Sequence, residues 1–133
     1  MGVFRVDCRI ENIVDRKKAV EVPEVLVDTG SEYTWISTAL LVRIGVKREK
    51  KDLQFVMANG TVITRNVGFA IVRVANAFTV DEVVFAEEGD LLLLGARSLE
   101  GMNLTVDSRR KKLVASGPLP AASGESPQYL SKG

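Results

Sequence analysis

The sequence contains no histidine. That absence excludes Ser/His/Asp and Cys/His nucleophilic machinery in their usual form and leaves a zinc site short of ligands, so carboxylates become the main source of general acid-base chemistry. Cys8 is the single cysteine; it rules out an internal disulfide framework and suits a reducing compartment. Aromatic residues are few, at 6%, and neither charge sign predominates, with a formal net charge of +1. Such a balance gives no general pull toward nucleic acid or a membrane surface. No apolar run approaches the length needed to span a bilayer, and the N-terminus lacks the apolar stretch of a signal peptide. The expectation is a cytoplasmic protein with no membrane partner. Proline is scarce until the end, where Pro118, Pro120 and Pro127 fall among small and polar residues. Residues 117–133 therefore read as a flexible tail, and residues 1–116 as one domain, since 133 residues suffice for one core but not for two.

Apolar periodicity points to an all-β fold. Phe4, Val6, Cys8 and Ile10 alternate with mostly polar neighbours, the period of a half-buried strand, which makes Cys8 a packing residue. Ala19–Val22 and Val25–Val27 continue the pattern, with Pro23 marking an edge or bend. Ser37 is placed to cap a short helix ending at Ile44 and Gly45. Leu53–Met57 and Thr61–Thr64 flank Ala58-Asn59-Gly60, and an Asn-Gly pair between β-prone runs is a strong hairpin signal. Two further strands are expected over 66–75 and 78–85, with Val67, Phe69 and Ile71 on one face of the first. An acidic loop, Ala86–Asp90, leads into Leu91–Leu94, and a hairpin over 103–115 closes the domain. Three basic clusters, at 16–18, 47–51 and 109–112, all fall at turns with few aromatics between them, which argues for solvation and against a nucleic-acid surface.

Asp28-Thr29-Gly30-Ser31 stands between two apolar runs, Val25–Val27 and Tyr33–Ile36. A carboxylate on a tight turn between buried strands must be paired, hydrogen-bonded or protonated. Gly30 lets the backbone pass close by, and the hydroxyls of Thr29 and Ser31 can hold the loop. This stretch, with Trp35-Ile36 after it, resembles the catalytic loop of aspartic proteases. Leu91–Leu94 followed by Gly95-Ala96 is similar to the apolar-apolar-glycine segment that crosses behind that loop in the same family, and Arg97–Gly101 fits the short helix that follows it, with Gly101 as its stop. Order and spacing are those of a retropepsin-like subunit over roughly residues 3–115.

The resemblance implies a closed β-barrel with one or two short helices, active as a homodimer. Aspartic proteolysis needs two carboxylates, and the chain carries one Asp-Thr-Gly, so a twofold dimer would bring two copies of Asp28 together. The pair would share a proton, the known behaviour of aspartic-protease dyads. By the same resemblance Thr29 would interlock the loops across the axis, Gly30 would bind the substrate chain, and Ser31 would hydrogen-bond the carboxylate. Met57, Ala58, Asn59, Gly60 and Thr61 would form the flap over a peptide or protein substrate, although the hairpin lacks the tyrosine of the pepsins. Leu94 and Gly95 would support the loop from behind, and Glu32 and Arg97 sit where viral relatives have an acid-arginine pair. No metal and no cofactor are implied. The residues alone leave other readings open: an Asx-type turn at Asp28, a dimer that binds peptides without cutting them, or a dimerisation module of a larger assembly.

Overall fold

A computed structural model of the chain describes residues 4–121. The expected tail therefore lies outside the described residues from position 122 onward. Nine strands and two short helices run in the order β1 (Arg5–Glu11), β2 (Ala19–Val27), β3 (Thr34–Ser37), α1 (Thr38–Arg43), β4 (Lys50–Val56), β5 (Val62–Val74), β6 (Ala77–Ala86), β7 (Leu93–Leu94), α2 (Ala96–Gly101), β8 (Leu104–Asp107) and β9 (Lys112–Ala115). The fold is mostly β, in keeping with the alternation in the sequence. Seven strands form one sheet in the order β1-β2-β7-β3-β6-β5-β4, with an additional pairing of β1 to β5, and β8-β9 is a separate hairpin.

Cys8 and Ile10 point into the main core with Val22, Val25, Ile36, Leu41 and Phe85. Burial pushes the Cys8 thiol up to about 12, with Asp7 adding to the effect, so it is an inert packing group at neutral pH. Pro23 does not split β2: the strand runs through it as a bulge, where the β1–β2 register shifts between Val6 and Cys8. Glu24 takes φ +53° there, and its N–H donates to Asp7 Oδ1 at 3.0 Å.

Several expected boundaries move. The runs 61–64 and 66–75 belong to a single 13-residue strand, β5, because the chain stays extended through Arg65 and Asn66 and the mismatch is absorbed by a register shift in β4 between Lys50 and Leu53, where the Asp52 N–H donates to Asn66 Oδ1 at 3.1 Å. Ala70 and Val72 supply its face toward the main core, while Phe69 is left exposed. Ser37 is the N-cap of α1 but makes no side-chain capping bond; instead the Thr38 hydroxyl donates to the Ala86 carbonyl at 2.9 Å. Gly101 does not stop α2. It lies inside the helix where a Cβ would collide with Thr79 on β6, and the left-handed residue that ends the turn is Asn103, at φ +57°.

The seam between β1 and β5 is held by charge. Glu11 is buried and accepts hydrogen bonds from Arg73 at 2.9 Å, Arg9 at 3.0 Å and Arg16 at 3.2 Å. Arg16 is thus engaged in an ion pair rather than simply solvated. The hydrogen bond from Arg73 leads in lowering the Glu11 carboxyl from 4.5 to about 2, against an opposing contribution from burial. Because the folded value lies below the unfolded one, this contribution is fully present above about pH 4.5 and is lost as the pH falls toward about 2. Glu11→Gln is expected to cost about 1.5–3 kcal/mol at neutral pH and to flatten the acid limb of stability against pH, read by denaturant titration at several pH values. An unchanged acid limb would place the titrating group elsewhere.

Candidate active site

Asp28 follows the last residue of β2 and opens the loop to β3. Its Oδ1 accepts the Gly30 N–H at 2.9 Å, and its carbonyl accepts the Ser31 N–H at 3.2 Å, so the loop is a tight turn closed on the aspartate. The carboxylate is half-buried, and Thr29 and Gly30 are exposed at the tip.

Leu94 and Gly95 run directly behind this loop. β7 lies between β2 and β3, parallel to the first and antiparallel to the second. The Leu94 carbonyl accepts the Asp28 N–H at 3.0 Å, and Ala96 N–H donates to the Ser31 carbonyl at 2.7 Å. Leu93 and Leu94 are buried, as expected for a strand covered on both faces, but Leu91 stays 66% exposed. Gly95 is required by contact: a Cβ there would press into the Tyr33 backbone and come within 2.8 Å of the Glu32 carbonyl oxygen.

A buried polar chain links these pieces, and sequence reasoning missed it. Gly95 N–H donates to Thr34 Oγ1 at 3.0 Å, Thr34 Oγ1 and Ser98 Oγ are 2.6 Å apart, and Ser98 donates to Asp81 Oδ2 at 2.8 Å. With the Ser98 proton on Asp81, Thr34 must be the donor to Ser98. Three elements, β3, β6 and α2, are thereby fixed to the glycine segment.

The hairpin of β4 and β5 turns at Met57–Thr61. Gly60 N–H donates to the Met57 carbonyl at 2.8 Å, Met57 N–H to the Thr61 carbonyl at 2.8 Å, and Gly60 takes φ +87°. Asn59 caps the turn by accepting the Thr61 N–H at 2.9 Å. A cleft of about 640 Å³ separates this hairpin from the Asp28 loop. Asp28, Gly30 and Ser31 line it on one side and Met57 and Ala58 on the other; Thr29, Asn59, Gly60 and Thr61 do not. Phe55 crosses from the hairpin to meet Tyr33 at 5.4 Å and Trp35 at 5.2 Å, both edge-to-face, and forms part of the cleft wall. The alternation of Leu53 and Phe55 was the available signal for that inward face.

Two side chains differ from the roles the resemblance implied. The Ser31 hydroxyl donates to the Tyr33 carbonyl at 3.0 Å and is thus turned to the backbone, not to the Asp28 carboxylate. Arg97 does not pair with Glu32. Its guanidinium reaches Glu82 at 3.0 Å and lies 4.9 Å over the Tyr33 ring, because the helix start presents it toward β6. Glu82 is lowered first by Lys50, 2.7 Å away, and then by Arg97. At the cleft edge Arg65 grips Asp90 through two contacts of 2.7 and 2.8 Å, tying the hairpin strand to the acidic loop and holding the Asp90 carboxyl below its ordinary range.

Residues 18–101 match the family described as gag-polyprotein putative aspartyl protease, a retropepsin-like family. The chain belongs to this family. The matched span covers both the Asp28 loop and the glycine segment behind it, and it ends with α2. No curated protein matches the chain at a significant level. Among the described residues no helix is long and apolar enough to cross a membrane, and no group of three or more acidic, histidine or cysteine side chains is arranged to hold a metal ion. The Asp28 loop of that span lines the cleft.

Proposed function

We propose that the protein is an aspartic endopeptidase that works as a homodimer, with Asp28 of each copy as the catalytic residue. One carboxylate activates water as a general base while the other, protonated, polarises and protonates the scissile carbonyl. The observation that carries this reading is Asp28 held by Gly30 N–H on a turn at the floor of a peptide-sized cleft, beneath a β-hairpin. The second carboxylate is assigned to another copy, because the chain carries a single Asp-Thr-Gly loop and Asp90, the other aspartate at the cleft, is committed to Arg65. Thr29, exposed at the loop tip, would then meet its counterpart across the axis, and the hairpin at Met57–Thr61 would act as the flap.

We infer further that the β1–β5 pairing closes the sheet into a barrel, that residues 1–116 are the protease domain with 117–133 a tail, and that the protein works in the cytoplasm, which its single buried cysteine favours. The test is digestion of a mixed peptide library between about pH 3 and about pH 8, with the oligomeric state measured by sedimentation at the same concentration. Cleavage by a dimer, with an optimum on the acid side of neutrality, is the expected result. A folded dimer that cuts nothing at any pH would move the function to peptide binding, and cleavage by a strict monomer would overturn the shared site.

A further inference from the structure

Glu32 follows the Asp28 loop, lines the cleft and is exposed. Arg97 is bound to it only through the backbone, its N–H donating to the Glu32 carbonyl at 3.1 Å, while the guanidinium goes to Glu82. Asp90 is neutralised by Arg65. Apart from Asp28, Glu32 is thus the cleft carboxylate that makes no ion pair among the described residues, and no lysine or arginine lines the cleft. Much of the remaining wall is apolar, formed by Tyr33, Trp35, Phe55, Met57 and Leu91.

Resting on the reading of this cleft as the peptide site, we propose that Glu32 is a specificity residue that selects substrates carrying a lysine or arginine close to the scissile bond. The ammonium or guanidinium meets the Glu32 carboxylate, and the aliphatic stem lies along the apolar wall. An acidic residue at the same place meets like charge and is rejected. Because Glu32 is exposed, water competes for it, and the preference for lysine over a neutral isostere is about three- to fivefold rather than several orders of magnitude.

The experiment takes one peptide and varies single positions on either side of its centre among lysine, norleucine and glutamate. Cleavage is measured as kcat/KM for wild type, Glu32→Gln and Glu32→Lys, and binding of the same peptides to Asp28→Asn and to Asp28→Asn carrying Glu32→Gln is measured by fluorescence anisotropy. The expected result is one position where lysine exceeds norleucine by about three- to fivefold and glutamate by more. Glu32→Gln brings the lysine-to-norleucine ratio close to one, and Glu32→Lys turns the preference toward glutamate. Wild type that cleaves with no lysine preference, or a Glu32→Gln variant that keeps it, overturns the proposal and leaves the protease reading standing; a Glu32 engaged by an arginine of a second copy would give this outcome. Absent cleavage with lysine-dependent binding that Glu32→Gln abolishes upholds Glu32 and overturns the protease reading, whereas absent cleavage with binding indifferent to lysine overturns both.

Discussion

Asp28→Asn is expected to lower kcat/KM by at least about 10³-fold while leaving the fold intact. The reason lies in the local geometry. The Asp28 side chain shapes the loop by accepting the Gly30 N–H at Oδ1, 2.9 Å away, and an asparagine oxygen accepts it equally well. What asparagine cannot do is take a proton from water or give one to a carbonyl. Thermal stability should change by less than about 1 kcal/mol, because the hydrogen bond that closes the loop survives the substitution. The check is kinetics on identically prepared samples, because traces of host protease mimic residual activity. A variant that keeps most of its activity would remove Asp28 from the mechanism.

Gly95→Ala is expected to be the most damaging change away from the carboxylate. The added methyl has no flexible neighbour to displace; it meets the backbone of Tyr33 and the Glu32 carbonyl. Room can be made only by moving the loop that carries Asp28 or the β7 segment that donates and accepts the hydrogen bonds behind it. The Gly95 N–H that anchors the Thr34–Ser98–Asp81 chain would shift as well, putting buried polar groups at risk of losing partners. Overpacking against backbone together with that loss should cost about 3 kcal/mol, or roughly 10 °C in Tm for a domain of this size. Activity should fall more than the residual folded fraction explains. A variant that melts like wild type would mean that the glycine segment does not support the loop.

The strand alternation, the aspartate turn, the hairpin and the apolar-glycine segment were legible because each is a local pattern: a period of two, a turn residue, a run of leucines. What the sequence hid depends on which distant side chains meet. Thr34, Ser98 and Asp81 read singly as ordinary polar residues, yet they join across three elements into one buried chain. For Arg97 the resemblance offered Glu32 alone, and the packing of α2 on β6 brings it to Glu82 instead. Gly101 looks like a helix stop and is instead a contact with Thr79, a distinction invisible to spacing. Pairing of Arg65 with Asp90 likewise spans β5 and the acidic loop, and it decides which cleft carboxylates remain available.

The shared active site is tested most directly by mixing. Wild type and Asp28→Asn are equilibrated together in varying proportion at fixed total concentration, and the rate is measured on one peptide. If each site needs Asp28 from both copies, activity follows the square of the wild-type fraction and falls to about a quarter in an equal mixture. A linear dependence, with about half the activity in that mixture, would mean that one chain carries a whole site and would contradict the account.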